Sequence, residues 1–228
     1  HVKHSYWALH KKLTRIIKQK SAALKMRCSD EELMQWNQML CEASYALDEM
    51  RQEYVAQLSQ ILAEYQARLP AINDVVLEYF PGWERQLGDL STQLSTALKQ
   101  ERQQGHCIIG PHRAELQLNT LFGTSKDQHS RGRQKMLAIA LYLAQGELLF
   151  REQSQHPLYL IDDFSSELDI DGQQLLVDAL NLKDKQVIIT TLDEKNAVLE
   201  KIYHENQRVM RYTIVAGNVL SDILPHDS

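Results

Sequence analysis

Across 228 residues the chain is 43% hydrophobic and 24% charged, with a formal net charge of −5. That length allows one large domain or two modest ones, and the apolar content supports a true core and excludes wholesale disorder. No apolar run approaches the roughly 20 residues of a membrane helix, and no secretory leader is visible, so a cytoplasmic protein without membrane attachment is expected.

Cys28, Cys41 and Cys107 form an odd, scattered set without CxxC spacing, which fits reduced thiols and argues against a zinc site. The charge is unevenly placed. Residues 1–29 hold eight of the 25 basic residues and none of the 30 acidic ones. A nucleic-acid contact is therefore more plausible for this basic arm than for the acidic body.

Tyr6 to Lys25 predicts the first helix, with Leu9, Leu13, Ile16, Ile17 and Leu24 on its apolar face. Lys11, Arg15 and Lys18 fall on another face, with Lys12, Lys20, Lys25 and Arg27 nearby. Lys11, Lys12, Arg15 and Lys18 are candidates for neutralising DNA phosphates, although a solvated helix face would use the same residues. Ser29 and Asp30 then offer a cap. Leu33, Trp36, Leu40, Ala43, Leu47, Met50, Tyr54, Leu58, Ile61 and Tyr65 step by three or four, predicting a helix of about ten turns that Pro70 ends. Such a seam needs an antiparallel partner, which the first helix or Leu87–Arg102 can supply. Between them Val75–Phe80 alternates like a short strand, and Pro81-Gly82 turns it.

After Gly105 the rhythm changes. His106–Gly110 and Glu115–Asn119 read as strands around a Gly110-Pro111-His112-Arg113 turn. Helices are predicted over Gln134–Glu152, Gly172–Leu182 and Glu194–His204, and strands over Leu158–Ile161 and Gln186–Thr191. Val209–Val215 and Val219–Ile223 form a closing pair that turns at Gly217-Asn218. Strands alternating with helices imply a largely parallel sheet covered on both faces. The expected architecture is α/β with an all-helical, coiled-coil-like lobe at 1–104 and half of an ATPase-type sheet at 105–228.

Leu158–Ile161 delivers two adjacent carboxylates, Asp162 and Asp163, to the C-terminal edge of a strand. Phosphoryl transfer is mostly positioning and charge neutralisation, so one acid can hold Mg²⁺ while its neighbour orients the attacking water. A strand leaving into a polar turn would also place acids there. Ser130, Arg131 and Gly132 open a helix, where a hydroxyl, a glycine amide and the helix dipole can grip an anion. An ordinary turn into a helix would look the same. The phosphate loop G-x-x-x-x-G-K-[ST] does not occur in these residues.

Together, Tyr159 through Asp169, Ser130-Arg131-Gly132, Leu143-Ala144-Gln145-Gly146-Glu147, Gly110-Pro111-His112-Arg113 and residues 17–24 resemble the RecF family of bacterial recombinational-repair ATPases, relatives of the SMC and Rad50 group. Ser-Arg-Gly in place of Ser-Gly-Gly, and Asp-Asp in place of Asp-Glu, favour that family over transporter ATPases. The resemblance implies an ATP-dependent homodimer with weak ATPase activity, acting at gapped or junction DNA with RecR and RecO to load RecA, in gap repair and the SOS response. It assigns Asp162 to Mg²⁺ and Asp163 to the catalytic base or water-orienting role. Ser130, Arg131, Gly132 and Arg133 would face the partner's ATP, Asp169 the dimer seam, and Thr190 and Thr191 the strand end where transporters carry a switch histidine. His129 and Arg133 depart from the family's usual leucine and glutamine.

The chain opens on His1 inside a helical pattern, which fits a fragment of a longer protein or equally a processed or trimmed one; in the fragment reading the phosphate loop lies in the N-terminal part and no tight ATP binding is expected of these residues alone. Two rivals remain: another SMC-like or overcoming-lysogenization-type ATPase, and a non-catalytic helical interaction module.

Overall fold

The computed structural model describes residues 4–120, 131–180, 185–205 and 208–221. Helix α1 (His4–Lys25) and the long α2 (Asp30–Gln66) form an antiparallel hairpin. The junction is set by Ser29, whose hydroxyl accepts the Glu32 N–H at 3.2 Å, while Asp30, Glu31 and Glu32 place negative charge on the positive end of α2. Helix α3 (Leu90–Gln104) is capped by Asp89, which accepts the Thr92 N–H at 2.7 Å. It ends at Gly105 in the left-handed conformation. Leu13 and Ile16 of α1 meet Leu40, Ala43 and Leu47 of α2, and Trp83, Leu90 and Leu94 close that core.

The other half of α2 belongs to a larger core. Leu58, Ile61, Leu62 and Tyr65 pack with Val75 and Leu77 of strand β1 (Val75–Phe80) and with Met136, Leu137, Ala140, Leu143 and Ala144 of helix α4 (Arg131–Gln153). Leu176, Val177 and Leu180 of helix α6 (Ile170–Leu180) complete it. Successive halves of α2 thus serve two cores, and the helix ties the helical part to the α/β part.

Strand β1 pairs antiparallel with β2 (Glu115–Thr120), from Val75 opposite Thr120 to Phe80 opposite Glu115. The strand expected over 106–110 does not form. Its backbone donors are taken elsewhere: Ile108 N–H by Glu101 Oε1 at 3.0 Å, and Gly110 N–H by Gly82 O at 3.0 Å. Gly82 and Gly110 both have positive φ, and a Cβ on Gly82 would sit 2.1 Å from Gly110 O. Only a bare backbone lets these two turns touch.

Strands β3 (Tyr159–Ile161) and β4 (Val187–Ile189) are parallel, joined through the short helix α5 (Phe164–Glu167) and α6. Tyr159, Ile161, Val187 and Ile189 pack on the larger core. On the opposite side Leu160 is 70% and Ile188 50% exposed, so among the described residues this pair is covered on one face rather than two. Helix α7 (Ala197–Glu205) follows, then the antiparallel pair β5 (Tyr212–Val215) and β6 (Asn218–Ser221). Their two-residue turn is Ala216-Gly217, both at positive φ, one residue earlier than expected. The architecture is α/β with a helical lobe, and no described helix is long and apolar enough to cross a membrane.

Candidate functional site

Thr190 organises the acidic pair. Its N–H donates to Ile161 O at 2.9 Å, extending the β3–β4 ladder by one bond beyond the strands. Its hydroxyl donates to Asp162 Oδ1 and accepts the Asp163 N–H at 3.0 Å, and its carbonyl accepts the Phe164 N–H at 2.9 Å. Asp163 adopts the left-handed conformation (φ 48°, ψ 52°), which bends the chain sharply from β3 into α5. Asp162 is exposed and Asp163 half-buried, so both carboxylates sit at the open edge of the parallel pair. Ser165 and Thr191 face each other across the same edge, hydroxyl to hydroxyl at 2.9 Å. The strand-end threonine that touches the acids is therefore Thr190, while Thr191 meets Ser165 and accepts the Asp193 N–H at 3.1 Å.

Asp169 stands one short helix further on. Its Oδ1 accepts the Gly172 N–H at 2.8 Å, capping α6. Gln173 behind it donates to Leu168 O and accepts from buried Asn196, each at 2.8 Å, which fixes the connection between α5 and α6.

At the start of α4, Ser130 lies outside the described residues and Arg131 is the first helical residue. Gly132 is exposed, and a Cβ added there meets nothing within 4 Å. Among the described residues, no packing requires glycine at that point. Arg133 is engaged within the chain, its guanidinium paired with Asp74 ahead of β1.

The Gly110-Pro111-His112-Arg113 turn is a clasp. Pro111 O accepts Arg51 Nη1–H from α2 at 2.9 Å, and the His112 ring lies over Gly110 with Nε2 3.1 Å from Cys107 O. Although His112 is exposed overall, desolvation of its ring holds its pKa below the usual histidine value. On α1, Lys11, Lys12, Arg15 and Lys18 are exposed, as expected for a charged face. Lys20 is not: it is fully buried against Glu101. It lies in step with Leu13, Ile16 and Ala23, a spacing that already marked it as an inward position.

Among the described residues no group of three or more His, Cys, Asp or Glu could hold a metal ion. The two strand-end acids still fit Mg²⁺, which uses one or two carboxylates and completes its shell with water and substrate phosphates.

Residues 14–213 match the family model for the RecF/RecN/SMC N-terminal domain. The chain is 35% identical over 194 residues to the DNA replication and repair protein RecF of Coxiella burnetii (strain CbuG_Q212), covering 85% of this chain and 54% of that protein. It is 32% identical over 196 residues to the protein of the same description from Pseudomonas syringae pv. syringae (strain B728a), covering 86% and 53%. The chain thus spans about half the length of these curated relatives. Two solved structures of the recombination mediator protein RecF in the RecFOR pathway, one described with ATP and one with ATPrS, share the fold. They superpose with TM-scores of 0.74 and 0.73, at 18% and 17% identity, over 96% of this chain and 59% of each of theirs. With the family model spanning nearly the whole chain and the curated likenesses falling on RecF, the chain belongs to the RecF/RecN/SMC family as a RecF-type member.

Proposed function

We propose that these residues form the helical lobe (1–104) and the second part of the nucleotide-binding lobe (105–228) of a cytoplasmic, RecF-type, ATP-dependent DNA replication and repair protein. The observation that carries this reading is the pair Asp162 and Asp163, held by Thr190 at the open end of a parallel strand pair. In this reading Asp162 is the metal-side acid, and bound Mg²⁺ supplies charge neutralisation at the phosphates. Asp163 orients the attacking water, with its carboxylate direction set by the left-handed backbone. Thr190 keeps the two acids apart in role: one carboxylate accepts its hydroxyl proton, the other residue donates its amide to the same oxygen.

Ser130, Arg131 and Gly132 face the nucleotide of a second copy, and the open space beside Gly132 supports close approach from outside the chain. Asp169 borders that seam, and Thr191 stands at the nucleotide edge where transporters carry a switch histidine. Arg133 joins it only by leaving Asp74. The intact protein dimerises on ATP, engages double-stranded DNA beside a gap through cations that include Lys11, Lys12, Arg15 and Lys18, and works with RecR and RecO, hydrolysing ATP slowly.

The test is Asp163→Asn in the full-length protein, followed by phosphate release and by light scattering with and without ATP. Turnover should fall about 100-fold or more while ATP-dependent dimerisation survives. Undiminished turnover would overturn the reading.

A further inference from the structure

The approach to β4 places a lysine in a core row. From residue 185 to 190 burial alternates: Lys185, Val187 and Ile189 are half-buried, while Gln186, Ile188 and Thr190 are exposed. Gln186 O accepts the Tyr159 N–H at 3.0 Å, so the strand ladder already holds this end of the segment. Val187 and Ile189 pack on the larger core, and Lys185 stands in step with them. Its Nζ lies 5.8 Å from the Tyr159 ring centroid. Among the described residues that nitrogen makes no hydrogen bond and no ion pair.

The corner around it is dry. The Tyr159 hydroxyl is buried close to Gly146, without a hydrogen-bond partner among the described residues, and Tyr65 of α2 is also buried. Tyr65, Tyr159 and Lys185 are each held toward their neutral forms, and burial is the largest cause in all three. At Lys185 the Glu147 carboxylate opposes that effect and the Arg68 guanidinium reinforces it. A lysine that snorkels carries its ammonium out to bulk water and keeps ordinary reactivity. Lys185 instead keeps its nitrogen over an aromatic face, partly dehydrated yet open to solvent on one side. An amine so placed presents its lone pair at neutral pH more often than a surface lysine does, which makes it a nucleophile.

We propose that Lys185 is an acylation site, modified by small donors of the acyl phosphate class. The Nζ lone pair attacks the carbonyl carbon, the bond from that carbon to the phosphate oxygen breaks, and phosphate leaves with the amine proton. The product is a neutral amide, so the modification removes a charge that this corner disfavours. Lys185 lies at the opposite end of the strand pair from Asp162 and Asp163, so the site is independent of the nucleotide reading.

Acetyl phosphate is the probe. The full chain is incubated with it at neutral pH, and acetylation at each lysine is followed over time by peptide mass spectrometry. Exposed Lys99, Lys195 and Lys201 serve as internal references. Lys185 should react about 3-fold faster than these, because a tenfold gain in free amine is partly offset by weaker nucleophilicity. Arg68→Gln should slow Lys185 and Glu147→Gln should speed it, while the references keep their rates. Circular dichroism confirms the fold of each variant. In denaturing urea the lead of Lys185 should vanish. A Lys185 that reacts no faster than the references in the folded chain, or that keeps its lead in urea, overturns the proposal.

Discussion

Lys20 Nζ lies 2.6 Å from Glu101 Oε2 with both side chains fully buried, so the first and third helices are joined by an ion pair without access to water. Glu101 Oε1 accepts the Ile108 N–H, so the same carboxylate also fixes the segment that leads into the clasp. Burying two charges is costly, and removing one partner leaves the other stranded. Glu101→Gln should lower stability by about 3–5 kcal/mol in urea unfolding. The double variant Lys20→Met with Glu101→Leu should recover most of that loss. A change below about 1 kcal/mol for Glu101→Gln would show that water reaches the pair.

Asp163 adopts a backbone conformation that asparagine and glycine tolerate and alanine does not. Asp163→Asn and Asp163→Gly should therefore fold with stability close to the parent, while Asp163→Ala should lose about 1 kcal/mol more than either. Thermal melts of the three variants measure this separately from turnover. Equal melting of all three would mean that the left-handed turn is not a constraint.

Gly146 is where α4 approaches β3. An added Cβ there would stand 2.1 Å from the Tyr159 hydroxyl and 2.9 Å from Pro157 Cγ. Gly146→Ala should destabilise by about 1–3 kcal/mol despite alanine's better helix propensity. Combining it with Tyr159→Phe should recover part of the loss, because the closest atom is removed. If Gly146→Ala raises the melting temperature, the contact is soft enough to move aside.

Tyr65 is buried between α2 and the larger core, and its pKa is pushed up to about 12, first by burial and then by the nearby Glu147 charge. Its folded pKa lies above its unfolded one, so the stability it contributes is complete below pH about 10 and is lost as pH rises through about 12. Alkaline titration followed by circular dichroism should show unfolding in that window, and Tyr65→Phe should shift the transition to higher pH. An unchanged transition in Tyr65→Phe would assign the alkaline limit to another group.

The elements that were legible in the sequence are those written in local periodicity. The seam from Leu33 to Tyr65 announced α2 because a helix repeats its buried face every three or four residues, and Ser29 marked its start. Asp162 and Asp163 were legible because four apolar residues led into them. Lys20 was misplaced among surface cations because its charge outweighed its spacing, although Leu13, Ile16, Lys20 and Ala23 form one row. The apolar pair Ile108-Ile109 suggested a strand, but Glu101 and Gly82 supply its backbone bonds from distant positions. The pairing of Arg133 with Asp74 was invisible for a similar reason: 59 residues separate them, and no local pattern encodes the meeting. Thr190 and Thr191 both stand at the strand end in the sequence, and only geometry separates the one that holds the acids from the one that meets Ser165.

Leu160 and Ile188 carry one last implication. A parallel ribbon packed on the core by one face, with two branched aliphatic side chains standing open on the other among the described residues, is unfinished as a solution surface. Handled by itself at high concentration, such a polypeptide will find its missing neighbours in other copies, and its yield will depend on dilution and temperature. Supplying strands that roof those two side chains should turn a sticky preparation into a well-behaved one.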